Sequence, residues 1–175
     1  MKKKILSLLS ALLVASLLTS PALARPGIGL SGVQFSLGSL IASGDIKGLG
    51  NTDVTMVLDA IGIPVITCFN NGGSQVPGQS SPKISASGNQ FLDGDSPVRK
   101  NGKSPFDVET VDPESIPWDQ AGCPNSNWLG HIDFIFWTDA TISVYDTATG
   151  VLELRQFYKC ITTRDPDSVS CTLVQ

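Results

Sequence analysis

Histidine, cysteine and basic residues are scarce in this 175-residue chain, and each shortage excludes a class of function. One histidine and four cysteines cannot build an array of zinc fingers. Twelve Lys and Arg against 16 Asp and Glu give a net charge of −4, so the chain lacks the positive surface that binds nucleic acid through its phosphates. We therefore expect no nucleic-acid partner.

The N-terminus has the pattern of a secretory signal peptide. Three lysines precede the apolar run Ile5–Leu18, and Ala22-Leu23-Ala24 then supplies the small residues that signal peptidase reads. The alternative is a membrane anchor, but this apolar run is shorter than the roughly 20 residues that span a bilayer. We predict that residues 1–24 are a signal peptide, cleaved near Ala24, and that the protein is secreted or periplasmic.

The remaining residues, 25–175, differ from the precursor in charge. The first 24 residues carry three lysines and no acidic residue, so 25–175 holds 9 basic and 16 acidic residues with a net charge of −7. A chain of about 150 residues can bury one sizeable core. We predict a single secreted β domain over 25–175, without a membrane span.

All four cysteines lie after the predicted signal peptide, which suits an oxidising compartment and two disulfides. Three connectivities are open. The turn-like Asp165-Pro166-Asp167 between Cys160 and Cys171 would bring these two cysteines opposite each other on adjacent strands. This favours Cys160–Cys171 and, by elimination, Cys68–Cys123.

Alternation of apolar and polar residues predicts an all-β chain. We expect about eight strands and no helix, in an antiparallel β-sandwich (Ig-like or jelly-roll-like) or an open barrel. Residues 54–58 and 63–69 alternate as two strands, with a turn predicted at Asp59–Gly62. Two further strands are predicted at 131–138 and 141–146; in the first, Ile132, Phe134 and Phe136 would share one face.

Residues 70–130 are rich in Pro and Gly, and we expect a long loop-rich excursion tied down by the Cys68–Cys123 disulfide. Exposed aromatic residues in or near this region are candidates for contacting a partner or stacking on sugars, namely Trp118, Trp128 and Tyr145. The alternative is that the two tryptophans pack over the disulfide and stabilise the end of the sandwich.

Catalytic patterns are weak. His131 and Asp133 are two residues apart on one strand, so they share a face, but no nucleophile motif accompanies them. We therefore predict no catalytic residues and no bound metal. Short acidic pairs such as Asp93-Gly94-Asp95 would suit Ca²⁺, which remains the candidate cofactor, although turns stabilised by Asp side chains explain them more simply.

One segment carries a resemblance. Cys68-Phe69-Asn70-Asn71-Gly72-Gly73-Ser74-Gln75-Val76-Pro77-Gly78-Gln79 resembles a C-x-N-x-G-G-x-x-x-P-G-Q segment of uncharacterised secreted bacterial β-rich proteins. The resemblance implies an exported, β-rich protein and carries over no site residues. The Gly-rich turn would either expose backbone N–H groups to an anion or partner, or be only a tight turn.

These patterns favour a secreted, non-catalytic binding module whose partner is an extracellular protein or glycan. Two alternatives stay open. One is a secreted hydrolase that uses the acids of the 70–130 region, namely Asp93, Asp95 and Glu114. The other is a secreted effector or inhibitor that presents its disulfide-bonded loop.

The signal peptide generates the first prediction. After expression in a bacterium with an intact secretion pathway, N-terminal sequencing and the intact mass of the exported protein should give a chain that begins at Arg25. A retained Met1, with the protein recovered in the membrane fraction, would contradict cleavage and favour the anchor.

Overall fold

The structure, a computed structural model, describes residues 27–95 and 102–174; the predicted signal peptide, residues 1–24, lies outside this part. The described chain forms ten β-strands and one short helix. In chain order they are β1 (Gly29–Ser36), β2 (Ile41–Lys47), β3 (Val54–Asn70), β4 (Gln75–Pro77), β5 (Ile84–Leu92), β6 (Lys103–Glu109), β7 (Ser115–Ile116), α1 (Trp118–Ala121), β8 (Trp128–Asp146), β9 (Leu152–Arg164) and β10 (Asp167–Leu173).

The strands form two antiparallel sheets. The smaller sheet has the order β1-β2-β6. The larger follows β10-β9-β8-β3-β4, with β5 also beside β3 and β7 also beside β8. The prediction of an all-β sandwich-like fold is therefore confirmed, with a larger sheet that curls and stays open.

Two long strands, β3 and β8, carry the larger sheet. They pair along their full lengths, from Val54 opposite Asp146 at one end to Asn70 opposite Trp128 at the other. The other neighbours of β3 and β8 pair along only part of this length. β5 and β9 flank the end near Val54, and β4 and β7 flank the end near Asn70. From Val54 to Cys68 the even-numbered residues of β3 are buried, and its odd-numbered residues are exposed or half-buried, as the alternation of a one-sided sheet requires.

The main core lies between the two sheets at the Val54 end. Alternate side chains of both sheets interdigitate there, including Ala42, Ile46, Phe106 and Val108 of the smaller sheet and Val54, Met56, Leu58, Trp137, Ile142 and Val144 of the larger. Burial of these side chains is the principal stabilising term of the fold. The Cys160–Cys171 disulfide lies at the margin of this core, joining residues that are directly opposed on β9 and β10.

A second, smaller core covers the other end of β3 and β8. Ile66 and Cys68 of β3 pack with Ile116, Ala121 and Cys123, which come from β7, α1 and the turn after α1. The Cys68–Cys123 disulfide joins the sheet to this covering segment across a separation of 55 residues. Both disulfides therefore have the connectivity that the sequence favoured.

The turn predicted at Asp59–Gly62 is wrong, because β3 runs straight through it. The strand ladder shifts register between Ile61 and Gly62, and a Cβ atom at Gly62 would lie 2.4 Å from Ile135 Cγ2. Gly62 is thus needed for the close approach of two strands and not for a reversal of the chain. The break predicted between residues 138 and 141 is also wrong, because these residues lie within the continuous strand β8.

The prediction that Ile132, Phe134 and Phe136 share one face is also wrong. The pairing with β3 passes from Ile132 opposite Ile66 to Phe134 opposite Val65, so the ladder skips Asp133. Such a bulge reverses the facing of all residues that follow it. Ile132 faces the packed side, whereas Phe134 and Phe136 face the outer side of the sheet.

The Gly-rich motif after Cys68 is a tight turn between β3 and β4. The Asn70 side-chain oxygen accepts hydrogen bonds from the backbone N–H groups of Gly72 (3.0 Å) and Ser74 (2.9 Å), and the Asn70 carbonyl accepts one from Gly73. These N–H groups are therefore bonded within the turn, as in other turns stabilised by Asn side chains. The structure favours the tight-turn interpretation of this segment.

The Pro- and Gly-rich residues 70–130 contain regular structure as well as loops. β4, β5, β6, β7 and α1 all lie within this range, and β8 begins at Trp128. The helix α1 spans four residues, so no helix among the described residues is long enough to cross a bilayer.

The close approach at Gly62 yields a stability prediction. Gly62→Ala should lower the free energy of unfolding by about 1–3 kcal/mol, because its methyl group would overlap the Ile135 side chain in a packed interior. Chemical denaturation measures the change. Gly72→Ala is the matched control: its Cβ would meet only the Asn70 side-chain oxygen, at 3.4 Å, so a change within about 0.5 kcal/mol is expected. Equal effects of the two substitutions would contradict this role for Gly62.

Candidate functional site

A cleft of about 510 Å³ opens at one edge of β8. Three segments line it: the turn between β1 and β2, the segment that leads into β7, and the middle of β8. Its residues are Leu37, Gly38, Asp112, Pro113, Glu114 and 131–135. The segment Asp112-Pro113-Glu114 thus meets the His131–Asp133 pair, which is far from it in sequence, in one place.

The cleft exists because β8 lacks a second neighbouring strand there. On the side away from β3, β7 pairs with Gly130 and His131, and β9 pairs with residues from Asp139 to Tyr145. Between these two partners, residues 134–137 form ladder pairs only with β3 within the described chain, and Ile132 also donates its N–H to the Glu114 carbonyl. The seven-stranded sheet therefore has a gap in its middle, and the cleft occupies it.

A buried threonine holds Asp112 at the rim of the cleft. The Thr110 hydroxyl donates to Asp112 Oδ1 (2.7 Å) and accepts a hydrogen bond from the backbone N–H of Leu40 (3.0 Å). The Thr110 N–H in turn donates to the Leu40 carbonyl (3.0 Å). Thr110 thereby ties the carboxylate to the turn that carries Leu37 and Gly38.

The pKa of Asp112 is raised above its ordinary value of 3.8. Burial of the carboxyl group is the main cause, because removing solvent disfavours the charged form. The hydrogen bond from Thr110 lowers the pKa and the nearby negative charge of Glu109 raises it, each by less than the effect of burial. Burial therefore makes the Asp112 carboxyl group easier to protonate than a fully solvated aspartic acid.

Hydrogen bonds to β8 and β3 position the other two acidic residues of the cleft, Glu114 and Asp133. The Glu114 carbonyl accepts from the backbone N–H of Ile132 (3.1 Å), which fixes Glu114 beside β8. Asp133, the bulged residue, accepts a hydrogen bond from the Thr67 hydroxyl at its Oδ2 atom (2.6 Å). Asp133 thus bonds across the sheet to Thr67.

His131 lies at the junction of the cleft with the outer face of the sheet. Its ring meets Phe69 edge to face with 6.0 Å between the centroids. With Leu129, these two rings line a second, shallower hollow of about 340 Å³. Exposed aromatic and aliphatic surface therefore continues from the cleft onto the outer face.

The outer face of the larger sheet carries much of the exposed apolar surface. Eleven large apolar side chains are exposed among the described residues, and six of them point outward from this sheet: Ile61, Ile63, Phe91, Leu129, Phe157 and Ile161. We call its central part, next to the cleft, the outer-face patch; it comprises Ile61, Ile63, Val65, Phe134, Phe136 and Ile161. A large apolar patch on a folded protein marks an interaction surface.

Two aromatic rings lie within the outer-face patch, and charged side chains border it. Phe134 and Phe136 meet edge to face, with 5.1 Å between the centroids, and the Arg164 guanidinium lies over the Phe134 ring at 5.5 Å. Lys159 and Asp139 form an ion pair at the side toward β9. The patch thus has a polar rim, as docking surfaces commonly do.

The aromatic residues singled out from the sequence lie away from this patch. Trp128 is half-buried against the second core, which contains the Cys68–Cys123 disulfide, and the Trp118 carbonyl accepts from the Cys123 N–H (2.8 Å). The Trp118 side chain is 38% exposed. The Tyr145 hydroxyl accepts from Arg155 Nη2 at 3.2 Å on the outer side of the sheet.

Asp93 and Asp95 do not join Glu114 in one site. Asp93 accepts from the backbone N–H of Asp95 (2.8 Å), and Gly94 donates to Asp53 (2.6 Å) just before β3 begins. Glu114 lies beside the opposite end of the β3–β8 pair. Among residues 27–95 and 102–174, no group of three or more His, Cys, Asp or Glu is arranged to hold a metal ion.

Comparisons with known proteins give little. No protein-family model and no curated protein matches the chain. Among solved structures it is similar to a calcium-binding mutant of Bacteroides uniformis β-glucuronidase 2, with 12% identity over 77% of this chain and 13% of that one, and a TM-score of 0.30. A second Bacteroides uniformis β-glucuronidase structure gives 12% identity, 76% and 12% coverage, and a TM-score of 0.28. The chain spans about an eighth of the length of these proteins, and the similarity is too low to indicate a shared fold or function.

The raised pKa of Asp112 predicts a pH-dependent effect of Asp112→Asn. In the wild type, the favourable contribution of the protonated carboxyl is complete below pH 3.8 and is lost as the pH rises through the raised folded-state pKa. Asn stays neutral and still accepts from Thr110. The stability of the variant relative to the wild type should therefore increase from about pH 3 to about pH 7. Urea unfolding across this range measures it, and a relative stability that falls as the pH rises would contradict the raised pKa.

Proposed function

We propose that the protein is a secreted, non-catalytic binding module and that the outer-face patch is its contact surface. The observation that carries this proposal is the concentration of exposed apolar side chains on one face of the larger sheet. The opposite face of the same sheet is buried in the two cores, so the outer face is the side available to a partner.

The side chains of the patch suit a protein partner. Ile61 and Ile63 are 41% and 36% exposed, and Ile161 is 73% exposed. Burial of such side chains against a partner contributes about 25 cal/mol per Å² of apolar surface. The most exposed side chains of the patch are these branched aliphatic groups, which offer no ring to stack on a sugar, and the rings of Phe134 and Phe136 are half-buried. An extracellular protein therefore fits this patch better than a glycan does.

Two features support a location outside the cytoplasm. Both disulfides join pairs of cysteines from the described chain, and disulfides persist in oxidising compartments. The predicted signal peptide would direct the chain there. A secreted effector or inhibitor would act through the same kind of surface, and it is one form that this binding function can take.

A secreted hydrolase is the second candidate, and the cleft is what favours it. Asp112, with its raised pKa, has the property of a general acid, and Glu114 and Asp133 supply further carboxylates in the same cleft. This candidate differs from the one drawn from the sequence, because Asp93 and Asp95 lie elsewhere. Binding remains the better supported function, since no activated nucleophile accompanies these groups among the described residues.

The proposed function predicts a surface-specific loss of binding. On arrays of peptides and glycans, the double variant Ile63→Thr/Ile161→Thr should bind at least about tenfold more weakly than the wild type, because it removes two aliphatic side chains from the patch. Thr keeps the β-branched shape that strands favour, so the fold should remain.

The matched control is Val111→Thr/Val151→Thr, which removes apolar surface at exposed positions outside the patch (78% and 49% exposed) and should leave binding unchanged. Equal loss in both variants would contradict the proposed surface. Turnover in a broad panel of hydrolase substrates that disappears in Asp112→Asn or His131→Ala would instead support the hydrolase.

A further inference from the structure

We propose that the gap in the larger sheet, beside the cleft, binds an extended cationic peptide segment of the partner protein as an added β-strand. This inference rests on the proposed binding function and names the chemistry of its partner. The segment would lie along β8 between β7 and β9, with its backbone bonded to β8 and its basic side chains in the cleft.

The backbone of β8 is suited to such an addition. The Trp137 carbonyl points away from β3, since it accepts a hydrogen bond from the Thr162 hydroxyl of β9 (3.1 Å). Alternate residues of a strand direct their N–H and C=O groups to the same side, so Ile135 also directs both groups away from β3. Ile135 lines the cleft, where these groups face the gap.

The size of the gap limits the length of the segment. The segment that leads into β7 covers β8 as far as Ile132, whose N–H donates to the Glu114 carbonyl, and the Thr162 contact covers it at Trp137. The residues between them, 133–136, span about 13 Å at a rise of about 3.3 Å per residue. A segment of about four residues fits this length, and the existing three-residue strand β4 shows that short strands pair in this sheet.

The charge of the cleft selects a cationic segment. Asp112, Glu114 and Asp133 line the cleft, and neither Lys nor Arg is among the described residues that line it. One hydroxyl donates to Asp112 and one to Asp133, which leaves further acceptor positions on each carboxylate. Lys and Arg side chains, which only donate, complement these groups.

The two faces of an added strand would meet different surfaces. Side chains on one face would lie toward Leu37 and Asp112, and side chains on the other would lie beside Phe134 and near Asp133, which bonds to the outward-facing Thr67. Arg164 already places a guanidinium over the Phe134 ring, so this ring tolerates a cation at its face. The gap thereby connects strand addition with the patch already proposed for binding.

The test uses a synthetic hexapeptide, Lys-Thr-Lys-Thr-Lys-Thr with blocked ends, and the protein spanning residues 25–175. Fluorescence anisotropy or calorimetry at low salt should show saturable binding. The variant Asp112→Asn/Glu114→Gln/Asp133→Asn should raise the Kd about tenfold, because three partly exposed charge pairs are lost. The control Asp93→Asn/Asp95→Asn/Asp107→Asn removes the same charge elsewhere and should leave the Kd within about twofold.

Two peptide controls separate strand addition from general attraction between charges. The same peptide with N-methyl groups on alternate residues keeps its charge but cannot pair along one edge, and one of the two alternate methylation patterns should abolish binding. A Glu-for-Lys peptide should not bind. Equal affinity of both N-methylated peptides and the parent peptide, or equal effects of the two triple variants, would overturn the inference.

The outcomes also distinguish this inference from the proposed function. If the peptides fail while Ile63→Thr/Ile161→Thr still reduces binding on the arrays, the gap is not a peptide site and the outer-face patch remains a contact surface. If the peptide binds and is lost only in the cleft variant, the gap is a site in its own right. If no variant weakens either peptide binding or binding on the arrays, both proposals are overturned.

Discussion

The pairing of β3 with β8 is the interaction on which the rest of the structure depends. The two strands bond from Val54 and Asp146 to Asn70 and Trp128, so they span both hydrophobic cores. No other strand of the described chain runs the full length beside them. The other neighbours pair with β3 or β8 over only part of this length, at one end or the other, and the outer surface, the cleft and the gap all follow from where this pairing stops.

Two bulges in this pairing decide which side chains reach which surface. The ladder skips Asp133 and Thr138, and each skip reverses the facing of the residues beyond it. The bulge at Asp133 turns Phe134 and Phe136 outward, and that at Thr138 restores the burial of Ala140 and Ile142. Apolar residues are thus divided between a packed face and an open face within one strand, which is why a stable sheet can also offer an apolar contact surface.

Much of the fold could be predicted from the sequence, because it depends on local periodicity. The alternation of residues 54–58 and 63–69 indicated strands correctly, and Asp165-Pro166-Asp167 indicated the turn between β9 and β10. Asp59 and Gly62 led to the wrong prediction of a turn, since Asp and Gly are also common in turns. The need for Gly62 comes from Ile135 on the facing strand, a contact far away in sequence that no local pattern reveals.

The candidate site was predictable only in pieces. The His131–Asp133 pair was recognisable, but its meeting with Asp112 and Glu114 depends on the pairing of Ser115 with His131 in a two-residue strand that is too short to leave a pattern. The outer-face patch depends on the bulge at Asp133, which also leaves no local signal. Both features are set by register, and register is a property of two segments together.

The open backbone edge of β8 beside the cleft can be measured by amide hydrogen exchange. Phe134 and Phe136 alternate with Ile135, so their N–H groups point toward β3, and the Ile135 N–H points into the gap. In the isolated protein we expect the Ile135 amide to exchange much faster than the amides of Phe134 and Phe136. Equal, strong protection of all three amides would show instead that this edge of β8 is already covered.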